Sequence, residues 1–236
     1  FTGSSLSVYD TENVDIDRQL ELMERTFACG VSSFGSCWGL QVAAQALGGS
    51  VEPIGRQGRE VGIGRKITMT MEGRGHPMFA GKKTVYEAFM SHGDEVTRVP
   101  PAGIVLSGND HTRVQSMCVA RNGVESWFVQ YHPEYDLHYF ASLLSSRTAR
   151  MVEQGFFRRE EDVALFTRDL MELHGAAEER RSRRACIRGD HTWGGHGRKD
   201  IAWRYGIGED ILSNDIKRAE VRNWIKHLLL TRHAWV

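Results

Sequence analysis

The sequence predicts an α/β fold that is followed by a helical C-terminal region, and three patterns along the chain lead to this prediction. Residues 11–30 place apolar side chains at helical spacing, and a short β-branched run then leads through Cys37 into a second helical pattern. Between residues 51 and 130, short runs rich in β-branched and aromatic residues indicate strands. After His132-Pro133-Glu134 the apolar period becomes helical again. Alternation of the two patterns favours helices packed on a sheet.

Each predicted element has its own signal in the sequence. The first helix carries a single apolar stripe and ends at Gly30, and the second covers residues 38–47 and ends at Gly48-Gly49. Gly, Pro and Asn or Asp divide the strands, and Gly62-x-Gly64 is interpreted as a turn between two of them. Strands are predicted at 31–34, 67–71, 84–89, 103–106, 116–120 and 127–130. Helices are predicted at 137–144, 163–173 and 216–230, with a basic Gly/His loop near 178–199.

Composition excludes several classes of protein. The 236 residues are 41% hydrophobic and 25% charged, which is typical of a globular chain rather than a disordered or fibrous one. Thirty basic and thirty acidic residues give zero formal net charge, so we expect neither a nucleic acid nor a membrane as partner. No apolar run approaches the roughly 20 residues of a membrane span, so we expect neither a membrane span nor a secretory signal. Cys29, Cys37, Cys118 and Cys186 form no C-x-x-C pair, which favours a reducing, cytoplasmic location.

Cys37 lies at a predicted strand-to-helix turn flanked by glycines, in Gly35-Ser36-Cys37-Trp38-Gly39. This is the pattern of a nucleophile elbow, where small neighbours permit a strained backbone that exposes a reactive side chain. The helix N-terminus behind the thiol favours thiolate, and the backbone N–H of Trp38 can face a developing oxyanion. The competing interpretation is a cysteine that simply packs at a tight turn.

A second candidate lies at the end of the strand at 127–130, in Gln130-Tyr131-His132-Pro133-Glu134. A thiol nucleophile needs an imidazole that takes and returns a proton, and a carboxylate that holds the imidazole tautomer. His132 and Glu134 would supply both. Ligands of α/β sheets bind at the carboxyl ends of strands, where Cys37 and His132 are both predicted. The alternative is a histidine that caps a turn, with Glu134 solvated.

Taken with Met90-Ser91-His92-Gly93-Asp94-Glu95-Val96, these motifs occur in an order that resembles the class I, triad-type glutamine amidotransferase domain. The resemblance covers about residues 1 to 140 and is strongest to GMP synthetase glutaminase domains and stand-alone γ-glutamyl peptidases. It implies a three-layer, flavodoxin-like α/β fold with a mostly parallel sheet. It also implies a catalytic domain at 1–140 and a helical extension at 141–236, and we expect strand–helix units of the sheet to precede Phe1.

The resemblance also implies residue roles. Cys37 would attack the glutamine side-chain amide, His132 would be general base and acid, and Glu134 would orient His132. Thr2-Gly3-Ser4-Ser5 resembles the glycine-rich loop that supplies an oxyanion donor, with Ser4 in place of the second glycine. The backbones of Ser4 and Trp38 would then form the oxyanion hole. Glutamine would be held by Gln41, Ser91, His92 and Gly93.

Three functions stay open on this reading. The first is a glutaminase that releases ammonia from L-glutamine, for a separate synthetase subunit or on its own. The second is a γ-glutamyl peptidase, which passes through the same thioester. The third is a regulatory or scaffold protein on this fold. No cofactor is expected. The helical extension could cover the site or form a homodimer surface.

Two features of the C-terminal region are interpreted without a function. His191 and His196, with Asp190 and Cys186, do not fit a zinc-binding spacing, so no metal site is predicted. The arginine run at 180–184 is interpreted as a solvated surface.

Overall fold

The computed structural model describes residues 1–10, 12–55, 58–186 and 196–232. The strands are β1 (Phe34–Ser36), β2 (Ser50–Pro53), β3 (Glu60–Met69), β4 (Val85–His92), β5 (Asp94–Arg98), β6 (Gly103–Gly108), β7 (Ser116–Arg121) and β8 (Val124–Val129). The helices are α1 (Val14–Ala28), α2 (Trp38–Ala46), α3 (Met71–Gly75), α4 (Leu137–Ser145), α5 (Thr148–Glu153), α6 (Glu160–Cys186), α7 (His196–Arg204), α8 (Glu209–Leu212), α9 (Asn214–Lys217) and α10 (Ala219–Arg232). A 3-10 turn covers Pro77–Phe79.

The main sheet has six strands in the order β1-β8-β7-β6-β3-β4, and β2 pairs with β5 in a separate ribbon. The α/β class predicted from the sequence is confirmed, but the strands of this chain form a mixed sheet rather than a mostly parallel one. β1 and β8 are parallel, whereas the pairs from β8 across to β4 are antiparallel. For β7 and β8 the reason is the two-residue turn that joins them, Asn122-Gly123, which permits only antiparallel pairing.

Both faces of the sheet are buried, as alternate residues of β8 show. Phe128 belongs to an apolar cluster with Met23 and Phe27 of α1 and Leu40 of α2. Trp127 and Val129 point into a second cluster on the opposite face. That second face is covered by α10, whose Trp224 packs against the cluster and lies 5.9 Å from the Phe34 ring. Helices therefore lie on both sides of the strands that position the site.

The chain divides into two compact units. The first contains Phe1–Pro133 together with the segment that begins at Arg218, so α10 belongs with the sheet rather than with the other C-terminal helices. The second unit, Glu134–Lys217, consists of α4 to α9. Inside it, the buried Asp169 of α6 accepts hydrogen bonds from Arg204 and Tyr205.

Most predicted helices and strands are confirmed, with two corrections. Residues 178–186 of the predicted loop are the end of α6, while 187–195, with His191 and Asp190, lie outside the described residues. Gly62-x-Gly64 is not a turn but part of β3, where Gly62 has φ +115° and the register with β4 shifts just after Gly64. The glycines therefore mark a bulge. In the part of the chain described, no helix combines the length and apolar character required for a membrane span.

Candidate active site

The predicted nucleophile Cys37 lies between β1 and α2, with backbone angles φ +51° and ψ −101°. A residue with a Cβ rarely adopts a positive φ, so this is a strained turn of the kind the sequence motif predicted. The flanking glycines are required by close approach. A Cβ on Gly35 would lie 2.8 Å from the Phe128 ring and 3.0 Å from Gly39 Cα. A Cβ on Gly39 would lie 2.9 Å from Phe1 Cβ.

The parallel register of β1 and β8 brings the ends of these two strands together. Ser36 pairs with Val129, and the Cys37 amide donates a 2.8 Å hydrogen bond to the Val129 carbonyl. His132 follows three residues after Val129, and its amide donates to the carbonyl of Phe89 on β4. The predicted nucleophile and the predicted base thus lie at the carboxyl ends of adjacent parallel strands.

The N-terminal segment passes directly over this pair. Phe1 is hydrogen bonded along the free edge of β1, since its amino group donates to the Phe34 carbonyl and its carbonyl accepts from the Ser36 amide. Gly3 follows. A Cβ placed on Gly3 would lie 2.9 Å from His132 Cε1 and 3.8 Å from Cys37 Cβ. Gly3 therefore lies next to both predicted catalytic side chains.

The two predicted oxyanion donors are placed differently. Trp38 is the first residue of α2, where backbone N–H groups lack intrahelical acceptors, and its indole donates a 2.6 Å hydrogen bond to Gln19 of α1. Ser4 is exposed, and its hydroxyl accepts from the Leu6 amide. Glu134 is also exposed, in the turn after Pro133, and it is the first residue of the second unit.

The predicted substrate residues are connected by hydrogen bonds around Asp94. Gln41 is buried, and its amide donates to the Asp94 carbonyl at 3.2 Å and to Gln130 at 3.4 Å. The His92 ring Nδ1 lies 3.0 Å from the same carbonyl. Ser91 and Gly93, on either side of His92, are half-buried. Gln41 on α2 and the 91–93 segment are thereby held next to one another.

The Asp94 side chain is a contact that sequence reasoning missed. Its carboxylate accepts from the Ser7 hydroxyl at 2.9 Å and from the Tyr9 hydroxyl at 2.8 Å. Burial, with the hydrogen bond and charge of Asp94, raises the pKa of Tyr9 against an opposing hydrogen bond with Ser7. The N-terminal segment is thus tied to the segment that carries the predicted substrate residues. Asp94 lies in the motif Met90–Val96, but nothing in the spacing of Ser7, Tyr9 and Asp94 signals this contact.

A buried polar network lies behind His92, and it was also missed. Glu60, at the start of β3, faces His92 Nε2 at 3.1 Å and accepts from Asn109 and Gln115, both at 2.8 Å. Burial raises the pKa of the Glu60 carboxyl, but the hydrogen bonds from these side chains and the His92 interaction outweigh it, so the pKa is lowered. A charged carboxylate therefore fixes the His92 ring at its Nε2 atom.

One group of side chains has the residue types of a metal site. The ligand atoms of His76, Cys118 and Glu125 all lie within 4.8 Å of one another. His76 Nδ1 accepts from the Met78 amide, so the neutral ring carries its proton on Nε2, which faces Glu125 at 3.1 Å. Burial, with the Glu125 charge, raises the pKa of the Cys118 thiol to about 12. Neither nitrogen lone pair nor thiolate is available, so these groups fit a hydrogen-bonded core rather than a metal site.

Comparison with known proteins agrees with this fold. The sequence profile described as "Glutamine amidotransferase class-I" matches residues 9–148. The chain belongs to the class I glutamine amidotransferase family.

Two curated relatives illustrate the range of the family. A "Gamma-glutamyl-L-1-hydroxyisopropylamide hydrolase" of a Pseudomonas species is 33% identical over 158 residues, which cover 66% of this chain and 53% of the relative. A glutamine-hydrolyzing GMP synthase of Lactobacillus delbrueckii subsp. bulgaricus is 32% identical over 134 residues, 57% of this chain and 23% of the relative. The chain thus spans about half of the first relative and about a quarter of the second.

Solved structures show the same fold. A glutamine amidotransferase of Thermotoga maritima matches with a TM-score of 0.56 at 18% identity, over 71% of this chain and 70% of that one. A glutamine amidotransferase of Methylobacillus flagellatus matches with a TM-score of 0.58 at 18% identity, over 95% of this chain and 74% of that one. The predicted amidotransferase-like α/β fold is therefore confirmed.

Proposed function

We propose that this chain is a glutaminase-type amide hydrolase that releases ammonia and glutamate from L-glutamine through a γ-glutamyl thioester on Cys37. The observation that carries the proposal is that Cys37 and His132 both have side-chain atoms within 3.8 Å of a Cβ placed on Gly3. A thiol at a strained elbow, an imidazole and the backbone of a glycine-rich loop are the parts that acyl transfer needs.

The reaction would proceed in two steps, formation of the thioester and its hydrolysis. The Cys37 sulfur attacks the side-chain amide carbon of glutamine, while His132 takes the thiol proton and passes it to the nitrogen, which leaves as ammonia. Water then attacks the thioester while His132 takes a proton from it, and glutamate leaves as His132 returns that proton to the Cys37 sulfur. Glu134 would orient His132 during both steps.

The remaining predicted residues have roles in stabilisation and binding. The backbone N–H groups of Ser4 and Trp38 would donate to the oxyanion that forms in each step, and the start of α2 would favour the thiolate. Glutamine would be held through its α-amino and α-carboxylate groups by Gln41 and by the segment Ser91-His92-Gly93.

The test is to trap the thioester with hydroxylamine. The chain incubated with L-glutamine and hydroxylamine is expected to yield γ-glutamyl hydroxamate beside glutamate. Cys37→Ala should abolish both products, whereas the matched variant Cys29→Ala, which removes an exposed free cysteine, should leave them unchanged. His132→Asn should slow formation by about 10²-fold to 10⁴-fold. Hydroxamate formed by Cys37→Ala would refute the mechanism.

A γ-glutamyl hydrolase is the second candidate, favoured by the similarity to the Pseudomonas hydrolase over two thirds of this chain. Its reaction would use the same Cys37 thioester but expel a substituted amine or a peptide instead of ammonia. Release of glutamate from a γ-glutamyl dipeptide, measured beside L-glutamine, separates the two. Preference for the dipeptide would favour this candidate. If a folded chain released glutamate from neither substrate, a scaffold function would be favoured.

As a glutaminase, the protein would supply ammonia to a separate synthetase subunit, in keeping with its similarity to the GMP synthase. A synthetase that raises Cys37-dependent turnover on addition would identify that partner. We also propose a cytoplasmic location, because the residues that the structure describes contain no disulfide.

A further inference from the structure

Helix α10 lies outside the segment that matches the family profile, yet it covers the strands that carry Cys37 and His132. Its Trp224 lies against Phe34 of β1, and its His227 ring lies 5.1 Å from that of Trp127 on β8. Asn223 donates hydrogen bonds of 2.9 Å to the carbonyls of Met78 and Ala80. The helix is therefore anchored by polar contacts as well as by apolar packing.

The most buried of these polar contacts involves Glu220, the second residue of α10. Its Oε1 lies 2.6 Å from Lys82 Nζ and accepts a 2.6 Å hydrogen bond from the Tyr131 hydroxyl. Both charged side chains of the pair are fully buried, and the ammonium also lies 4.2 Å from the centre of the Tyr86 ring. Moving two charges out of water costs free energy, so a fully buried ion pair is weak evidence that its role is only to stabilise the fold.

The Glu220 carboxylate is hydrogen bonded to Tyr131, the residue that precedes the predicted base. The Tyr131 ring lies in the apolar cluster beneath α10, while His132, one residue on, lies beside Gly3 and Cys37. Tyr86 donates a 3.1 Å hydrogen bond to the Tyr131 hydroxyl, so that hydroxyl has both a donor and an acceptor. Burial, followed by the Glu220 charge, raises the pKa of Tyr131, so the hydroxyl keeps its proton and remains a donor.

We propose that Glu220 of α10 is a positioning residue for His132, acting through its hydrogen bond with the Tyr131 hydroxyl. The proposal rests on the function proposed above for His132. Lys82 has a separate task, since it neutralises the carboxylate that would otherwise be buried without a countercharge. The C-terminal helix is therefore part of the catalytic unit and not an appendage to it.

Two double variants separate the hydrogen bond from the ion pair. Both Lys82→Met/Glu220→Gln and Lys82→Met/Glu220→Leu lack the buried charges, but only the first retains an acceptor for the Tyr131 hydroxyl. Tyr131→Phe removes the donor and keeps the ring. Asn223→Ala is the matched control, because it removes two hydrogen bonds of the same helix, both to the carbonyls of Met78 and Ala80.

Two readouts are needed, and the first is turnover of L-glutamine well below the melting temperature. Tyr131→Phe and the Leu double variant should lower kcat by about 10-fold or more, since small misplacements of a reacting group have effects of this size. KM should change less than about twofold. The Gln double variant should retain kcat, and Asn223→Ala should lower only the melting temperature.

The second readout is the pH profile of Cys37 alkylation by iodoacetamide, followed by mass spectrometry of the Cys37 peptide, which needs no substrate. Tyr131→Phe and the Leu double variant should shift this profile in the direction that His132→Asn shifts it. Equal profiles for the Gln and Leu double variants, or a wild-type profile for Tyr131→Phe, would overturn the positioning role.

The control His132→Asn keeps the two proposals distinguishable. If it changes the alkylation profile while L-glutamine is not turned over, the proposed substrate is wrong and the alkylation comparison still decides the role of Glu220. If it leaves the profile unchanged, the assignment of His132 is wrong and the positioning role is overturned with it.

Discussion

At the scale of single residues, Cys37 is held in place by its backbone. A positive φ of +51° at a residue with a Cβ costs on the order of 1–3 kcal/mol, and it persists only where the surroundings fix it. Here the Cys37 amide is bound to the Val129 carbonyl, and the next residue already begins α2. The backbone that carries the thiol is therefore fixed before any substrate binds, which lowers the ordering cost of an acyl transfer.

The buried carboxylate of Glu60 should make stability depend on pH. Its pKa is lowered in the folded state, so its contribution is present above the unfolded carboxyl pKa, about 4.3, and is lost as pH falls through the folded value. Glu60→Gln should lower the free energy of unfolding at pH 7 by about 1–3 kcal/mol, because buried partners lose a charged acceptor. When urea unfolding is measured from pH 7 to pH 3, the difference in free energy of unfolding between wild type and Glu60→Gln should become smaller.

The control for Glu60 is Glu87→Gln on β4. Glu87 pairs with Arg65 in a partly exposed ion pair, so its removal should change the free energy of unfolding by less than about 1 kcal/mol. A gap between wild type and Glu60→Gln that stays constant down to pH 3 would contradict the lowered pKa.

At the scale of elements, the sequence predicted what depends on local spacing. The β1, Cys37 and α2 unit follows from glycines beside a cysteine, and α1 follows from its apolar stripe. The β2–β5 ribbon was missed because its short strands carry charges such as Glu52 and Asp94 and show no apolar period. The Glu60 network was missed because its partners lie 32 to 55 residues away, and no pattern in one sequence specifies such pairs.

The close approach of β1 and α2 gives the prediction at this scale. Gly35→Ala should lower the free energy of unfolding by about 1–3 kcal/mol, because a Cβ would meet the Phe128 ring and the Gly39 backbone. Gly175→Ala in α6 is the matched control. A Cβ there meets nothing within 4 Å, so the change should stabilise that helix by about 0.5–1 kcal/mol. Denaturant unfolding measures both, and a neutral Gly35→Ala would show that the elbow tolerates side chains.

At the scale of the whole molecule, the first unit is closed by a contact between distant parts of the chain. Lys82 and Glu220 are 138 residues apart, and their side chains join α10 to the segment that precedes β4. Because the helical residues Glu134–Lys217 form a second unit, the chain leaves the first unit and returns to it. The sequence pattern predicts a helix at 216–230, but not that this helix belongs with the sheet.

Loss of one partner of this buried ion pair should cost more stability than loss of both partners. Lys82→Met alone leaves the Glu220 carboxylate buried without its countercharge, and should lower the free energy of opening of the first unit by about 3–5 kcal/mol. Glu220→Leu alone should cost a similar amount. Lys82→Met/Glu220→Leu should cost less than either single change, since no charge is then buried. Hydrogen exchange of the β8 and α10 amides measures this free energy within the first unit.

The exposed Glu21–Arg25 pair of α1 is the control and should show a coupling of only about 0.3–0.5 kcal/mol. If the double variant loses as much as the two single variants combined, Lys82 and Glu220 act independently and the ion pair does not close the unit.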